Sequence, residues 1–206
     1  MILKQFVFTL ILTFNLSCST GGKNQKNERP KKAELYYGQG TEMLVKKDYS
    51  RALEYLLEAQ KITPNDTEIQ NNLGMAYFFK GRAEKAKQHL KRAIEINPKN
   101  SNARNNLAGI LFREKNFKNA KNQYEMVKDD LIYQHQYRTY YNLALIAEIE
   151  GKYKETIRLL NESISERKEF CPSHYKLGEI SLAKKQLSEA LKHFRNASRG
   201  TCYKNA

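Results

Sequence analysis

Residues 67–100 read TEIQNNLGMAYFFKGRAEKAKQHLKRAIEINPKN. Apolar side chains recur at helical spacing from Glu68 to Lys80 and again from Ala83 to Ile96, and Gly81 breaks the two stretches apart. The economical reading is a helix, a tight turn and a second, antiparallel helix. Pro98 stops the second helix, because proline has no N–H to donate and its ring blocks the preceding turn. Pro64 stands 34 residues earlier, which points to a repeat.

The same pattern extends in both directions. A small residue recurs at Gly40, Gly74, Ala108, Ala144 and Gly178, at intervals of 34, 34, 36 and 34. Two further small columns run through Ala52, Ala86, Ala120, Thr156 and Ala190, and through Ala59, Ala93, Val127, Ser163 and Ala197. A large column runs through Leu56, Leu90, Tyr124, Leu160 and Phe194, and another through Leu73, Leu107, Leu143 and Leu177, with Gln39 as its odd member. Small columns let paired helices approach and large ones fill the space between them. Five hairpin units follow, with expected bounds 33–66, 67–100, 101–136, 137–170 and 171–204. The fold class is all-α.

These columns resemble the tetratricopeptide repeat over about 33–202, nearly all of the chain after its first segment. The resemblance implies a right-handed superhelix whose first helices line a concave groove, a surface suited to binding another protein. Ile132 and Lys168 stand where the terminating proline would be, and two extra residues separate the third and fourth units.

Composition agrees. The chain has 206 residues, enough for one domain or a modest array, with ten Gly, four Pro and no Trp, which disfavours β-sandwich, collagen-like and disulfide-scaffold classes. The formal charge of +14 permits attraction to phosphates, anionic lipid or an acidic partner without selecting one. Between Lys80 and Lys128 thirteen Lys and Arg face four Asp and Glu, either a binding patch or the solvated outer faces of helices.

The N-terminal segment has its own character. Phe6–Leu16 is an apolar run behind Lys4, and as a helix it reaches about 16 Å, roughly half of a bilayer core. It reads as a signal peptide over 1–17. Leu16-Ser17-Cys18 resembles a bacterial lipobox, which implies cleavage before Cys18 and acylation of its thiol. Ser19 after it lacks the Asp of the inner-membrane retention signal, which favours a periplasm-facing place on the outer membrane. Residues 18–32 hold no large apolar side chain and are expected to be a flexible tether. With Cys18 acylated, Cys171 and Cys202 remain, one at the start of the last hairpin and one past its end, where either a disulfide or two free thiols is open.

The lengthened junction, with Leu131-Ile132-Tyr133 ahead of a Tyr-rich helix, resembles that of type IV pilus biogenesis lipoproteins of the PilF/PilW type, although Gln134 replaces their proline. That resemblance implies a pilotin, which helps an outer-membrane secretin subunit to localise and assemble. A general lipidated scaffold for envelope assembly, or an accessory subunit of an envelope enzyme, are the alternatives.

Candidate groove residues lie on the first helices: Tyr37, Leu44 and Val45 in unit one, Asn71, Asn72, Met75, Phe78 and Phe79 in unit two, and Asn105, Phe112 and Arg113 in unit three. Together they would receive an apolar segment while the Asn amides bond its backbone, and inter-repeat packing is the competing role for each. Tyr37 and Thr41 stand where a carboxylate clamp would need Lys and Asn, so recognition of a free C-terminus is disfavoured. His89, His135, His174 and His193 show no metal-ligand spacing, and His89 and His193 are expected on exposed faces. No nucleophile elbow, phosphate loop or dinucleotide fingerprint is present, so neither an enzyme nor a cofactor is expected; a basic surface with tyrosines would fit nucleic acid, but export disfavours that partner.

Overall fold

A computed structural model describes residues 29–199. The expected signal peptide, the acylation site Cys18, the tether as far as residue 28, and Cys202 lie outside the described residues. The described residues form ten α-helices: α1 Lys31–Val45, α2 Tyr49–Ile62, α3 Thr67–Phe79, α4 Ala83–Ile96, α5 Ser101–Arg113, α6 Phe117–Lys128, α7 Gln136–Ile149, α8 Tyr153–Glu166, α9 Cys171–Ala183 and α10 Leu187–Arg199. They pair as five antiparallel hairpins, each stacked on the next.

One turn geometry closes all five hairpins. In the first, the Asp48 amide donates to the Met43 carbonyl and the Lys47 amide to that of Leu44. The same six-to-one bond recurs from Arg82 to Tyr77, Asn116 to Leu111, Lys152 to Ala147 and Gln186 to Ser181. This is the Schellman helix end, and its middle residue must be left-handed. Gly81 and Gly151 take that position at φ 73° and 72°, whereas Lys47, Lys115 and Lys185 take it at 61°, 60° and 59°.

The small and large columns meet inside each hairpin. A Cβ added at Gly40 or Gly74 would lie 2.6 Å from Cγ of Leu56 or Leu90, and at Gly178 it would lie 2.6 Å from the Phe194 ring. The glycines are therefore needed for close approach. Leu56, Leu90, Tyr124 and Leu160 are fully buried, and each such side chain contributes roughly 1.5–3 kcal/mol by leaving water. Burial pushes the Tyr124 hydroxyl far above its ordinary pKa.

The joints between units differ. Four residues separate α2 from α3 and α4 from α5, and Asp66 and Asn100 cap the following helices by accepting the Ile69 and Ala103 amides at 3.1 and 2.9 Å. Seven residues, 129–135, separate α6 from α7. Here Gln136 Nε2 lies 2.8, 3.2 and 2.8 Å from the carbonyls of Val127, Lys128 and Asp130, tying down the end of α6 that proline would otherwise terminate. The Asp130 carboxylate accepts from the Ser101 hydroxyl and the Ile132 amide. Above this pinned loop, Leu131 and Ile132 are 94% and 89% exposed.

One expectation needs correction at the start of the array. The end of the expected tether is docked: α1 begins at Lys31, and Arg29 donates from Nε to Asp66 at 2.6 Å and from Nη2 at 3.2 Å. Its guanidinium also lies 3.9 Å from the centre of the Tyr37 ring. The polar composition of 18–32 rules out an apolar face but not a charge-assisted contact with the cap of α3.

Candidate protein-binding groove

The first helices of successive units touch one another, α1 with α3 and α3 with α5, so they form the inner wall of the array. A chain of side-chain hydrogen bonds runs across that wall. Asn106 Nδ2 donates to Asn71 Oδ1 at 2.9 Å, and Asn71 Nδ2 donates to Asn72 Oδ1 at 3.1 Å. Asn72 Nδ2 donates in turn to Thr41 Oγ1 at 2.9 Å, and the Thr41 hydroxyl donates to the Tyr37 carbonyl at 2.8 Å. All four bonds point the same way, from unit three to unit one, and bonds in such a chain polarise and strengthen one another. A weaker contact of 3.5 Å continues the wall from Thr139 to Asn105.

An amide carries two N–H donors and one carbonyl acceptor. The chain uses one N–H of each of the three asparagines, which leaves a second N–H on the half-buried Asn72 and Asn106 outside the chain. Asn71 is buried, whereas Asn72, Asn105 and Asn106 are half-buried.

The other expected groove residues fall into two groups. Tyr37, Leu44, Phe78 and Phe112 are half-buried against the hydrophobic clusters that join neighbouring units. Val45, Phe79 and Arg113 end their helices and sit at the rim beside the hairpin turns. Phe79 stacks on Tyr49 with ring centres 4.8 Å apart, and the Arg113 guanidinium lies 5.0 Å from the centre of the Phe78 ring. Met75 is half-buried in the middle of α3, one residue after the Gly74 contact. The residues that sequence reasoning missed are Thr41, Asn106 and Thr139. Asn106 was findable, because Asn72 and Asn106 recur at 34 residues.

Charge around the wall is held locally. Glu68 accepts from Asn100 Nδ2 at 3.2 Å, and burial pushes its carboxyl above the ordinary carboxylate range. Burial likewise raises the Tyr37 hydroxyl, and at the third joint it pushes Tyr133 up to about 12.

The exposure expected of His89 and His193 is corrected: both are half-buried. His89 is half-buried, with Nδ1 2.8 Å from Gln70 Oε1 and its ring stacked on Tyr77 at 5.2 Å. His193 Nδ1 lies 3.4 Å from Nδ1 of the buried His174, whose Nε2 donates to the Lys168 carbonyl at 2.9 Å. Second-helix positions that look outward in a helical projection here lean over the first helix of the same hairpin. His135 Nδ1 is buried without a hydrogen-bond partner among the described residues.

No group of three or more His, Cys, Asp or Glu suited to a metal ion occurs among the described residues. No described helix is long and apolar enough to cross a membrane. Cys171 opens α9 and is buried, and its expected partner Cys202 lies outside the described residues.

Residues 67–100 match the tetratricopeptide repeat family. The chain has the tetratricopeptide-repeat fold. It is similar to the solved structure of PilF from Pseudomonas aeruginosa, at 17% identity and a TM-score of 0.79, over 84% of this chain and 78% of that one. It is similar to PilW, a type IV pilus biogenesis factor, at 18% identity and a TM-score of 0.74, over 82% of this chain and 78% of that one. MamA from Desulfovibrio magneticus RS-1 matches at 22% identity and a TM-score of 0.67, over 87% of this chain and all of the other. No curated protein sequence matches the chain.

Proposed function

We propose that this chain is a non-enzymatic, lipid-anchored protein of the outer membrane that binds an extended segment of a protein partner along its concave wall, the partner being a secretin subunit during type IV pilus assembly. The observation that carries the binding role is the one-way amide chain from Asn106 to Thr41, which fixes the half-buried Asn72 and Asn106 amides on the inner wall before any segment arrives. The similarity in fold to PilF and PilW supports the pilus setting. Cys18 is the proposed acylation site, and several acyl chains at about 0.8 kcal/mol per buried methylene make anchoring lasting. A Cys171–Cys202 bridge is proposed to fasten the last hairpin, which no further described repeat covers.

Deleting the gene is expected to remove heat-resistant secretin multimers while monomers persist, and Cys18→Ala to mislocalise the multimers. Unchanged multimers in the deletion strain would favour a general envelope scaffold instead. For the bridge, non-reducing mass spectrometry of the exported protein should show a mass two hydrogens lighter than the dithiol.

A further inference from the structure

The two edges of the array differ in charge. All five hairpin turns lie on one edge, because the antiparallel pairs stack in register, and the four joints between units lie on the other. The turn edge holds eight Lys and Arg against three carboxylates in residues 46–48, 80–82, 114–116, 150–152 and 184–186. The joint edge holds three against four in residues 63–66, 97–100, 129–135 and 167–170.

The three carboxylates within these turn residues are already engaged, and of those in the first turns of α4, α8 and α10, Glu84 pairs with Lys87, Glu189 with Lys192, and Glu155 forms no ion pair among the described residues. Asp48 caps α2 and pairs with Arg51 at 2.7 Å, Glu114 pairs with Lys87 at 2.8 Å, and Glu150 pairs with Lys121 and Lys152 at 2.9 and 2.7 Å. Lys47, Arg82, Lys115, Lys184 and Lys185 form no ion pair among the described residues. Three of these five occupy the left-handed turn position that Gly81 and Gly151 fill without strain. Solubility does not require a lysine there, since any neighbouring exposed position would serve.

Apolar side chains share the edge. Val45, Ile149, Tyr153 and Leu187 each adjoin a turn residue and are 79, 54, 65 and 68% exposed. Exposed aliphatic and aromatic groups that share one edge with basic side chains outside any ion pair form the pattern of a surface that settles into a bilayer interface over anionic headgroups. The row also spans five units, each about 8–10 Å from the next, which suits an extended anionic plane better than a compact ligand.

We infer that the hairpin-turn edge is a peripheral docking surface for an anionic lipid bilayer, with Lys47, Arg82, Lys115, Lys184 and Lys185 over the headgroups and Val45, Ile149, Tyr153 and Leu187 at the interface. This requires no acyl chain at Cys18, and it is separate from the amide chain of the groove. A lysine near an anionic surface strengthens partition about fivefold.

The test uses residues 19–206, which contain every core cluster and lack Cys18. The chain has no Trp, so Tyr153→Trp is a unique fluorescent reporter. With vesicles of equal parts phosphatidylglycerol and phosphatidylcholine its emission is expected to shift to the blue, and with phosphatidylcholine alone to stay unchanged. Replacing Lys47, Lys115 and Lys185 together by Gly is expected to weaken partition roughly 100-fold while raising the melting temperature, so lost binding cannot come from lost folding. Leu131→Trp, on the joint edge, is the control and should not shift. The inference is overturned if Tyr153→Trp is silent with anionic vesicles, if Leu131→Trp responds equally, or if soluble polyglutamate shifts Tyr153→Trp and vesicles do not.

Discussion

The second and third joints carry out the same task by different means. Between α4 and α5 the chain turns in four residues, with Pro98 after the helix and Asn100 capping the next one. Between α6 and α7 it takes seven, with no proline, and Gln136 reaches back from the next helix to hold three carbonyls. The second joint is built from backbone preferences local to the turn, the third from one buried side chain. A joint of the latter kind is fragile at one residue but frees the loop above it to present Leu131 and Ile132 to solvent.

The largest expected effect separates the two joints directly. Gln136→Ala removes three hydrogen bonds at once, leaving the Lys128 carbonyl without a donor while those of Val127 and Asp130 keep the Asp130 and Tyr133 amides, and should lower stability by about 3 kcal/mol, whereas Asn100→Ala should cost about 1–2 kcal/mol. Urea unfolding of the two variants checks this, and equal losses would mean that Gln136 does not replace the proline stop.

The next effect sets unit two against unit three. Gly74→Ala drives a methyl group into Leu90 and should cost about 2 kcal/mol. Gly109→Ala, whose new methyl would lie 3.7 Å from the Tyr124 hydroxyl, should instead gain roughly 0.5–1 kcal/mol from helix propensity. Thermal melts of both variants should move in opposite directions.

A smaller pair compares the turns of the same two units. Lys115→Gly should stabilise by roughly 0.5–1 kcal/mol and Gly81→Ala should destabilise by about 1 kcal/mol, since both act on a left-handed residue. The smallest effect is in pH. Burial lowers the His89 and His193 pKa values below the ordinary 6.5, so the unfolded chain binds protons first as pH falls. Stability contributed by the neutral rings is therefore complete above pH 6.5 and declines below it, until the folded rings titrate as well. Melting temperatures of His89→Gln and His193→Gln should show a shallower decline across that window than the parent chain.

The parts legible in the sequence were those written once per unit. The 34-residue columns placed five hairpins, and the glycines at 40, 74 and 178 do meet Leu56, Leu90 and Phe194. What could not be read was written once, or across units. Gln136 acts through a side chain on a neighbouring joint, and no spacing marks it. Arg29 docks through charge, which a search for apolar faces passes over. Among the groove residues, periodicity finds the inner helix face but does not separate its floor from its packing. Asn71, Asn72 and Asn105 were visible, while the partners Thr41, Asn106 and Thr139 that complete the wall emerged only when the helices were set side by side.

The most direct test of the central claim places a photo-activated cross-linking amino acid at Met75, beside the amide chain, in cells that assemble the secretin. Irradiation is expected to join the chain to a secretin subunit from that position, and to lose the product when Asn71, Asn72 and Asn106 are all changed to Ala while the fold is retained. An intact multimer with no cross-link from Met75, or a cross-link that survives the triple change, would contradict binding along the inner wall.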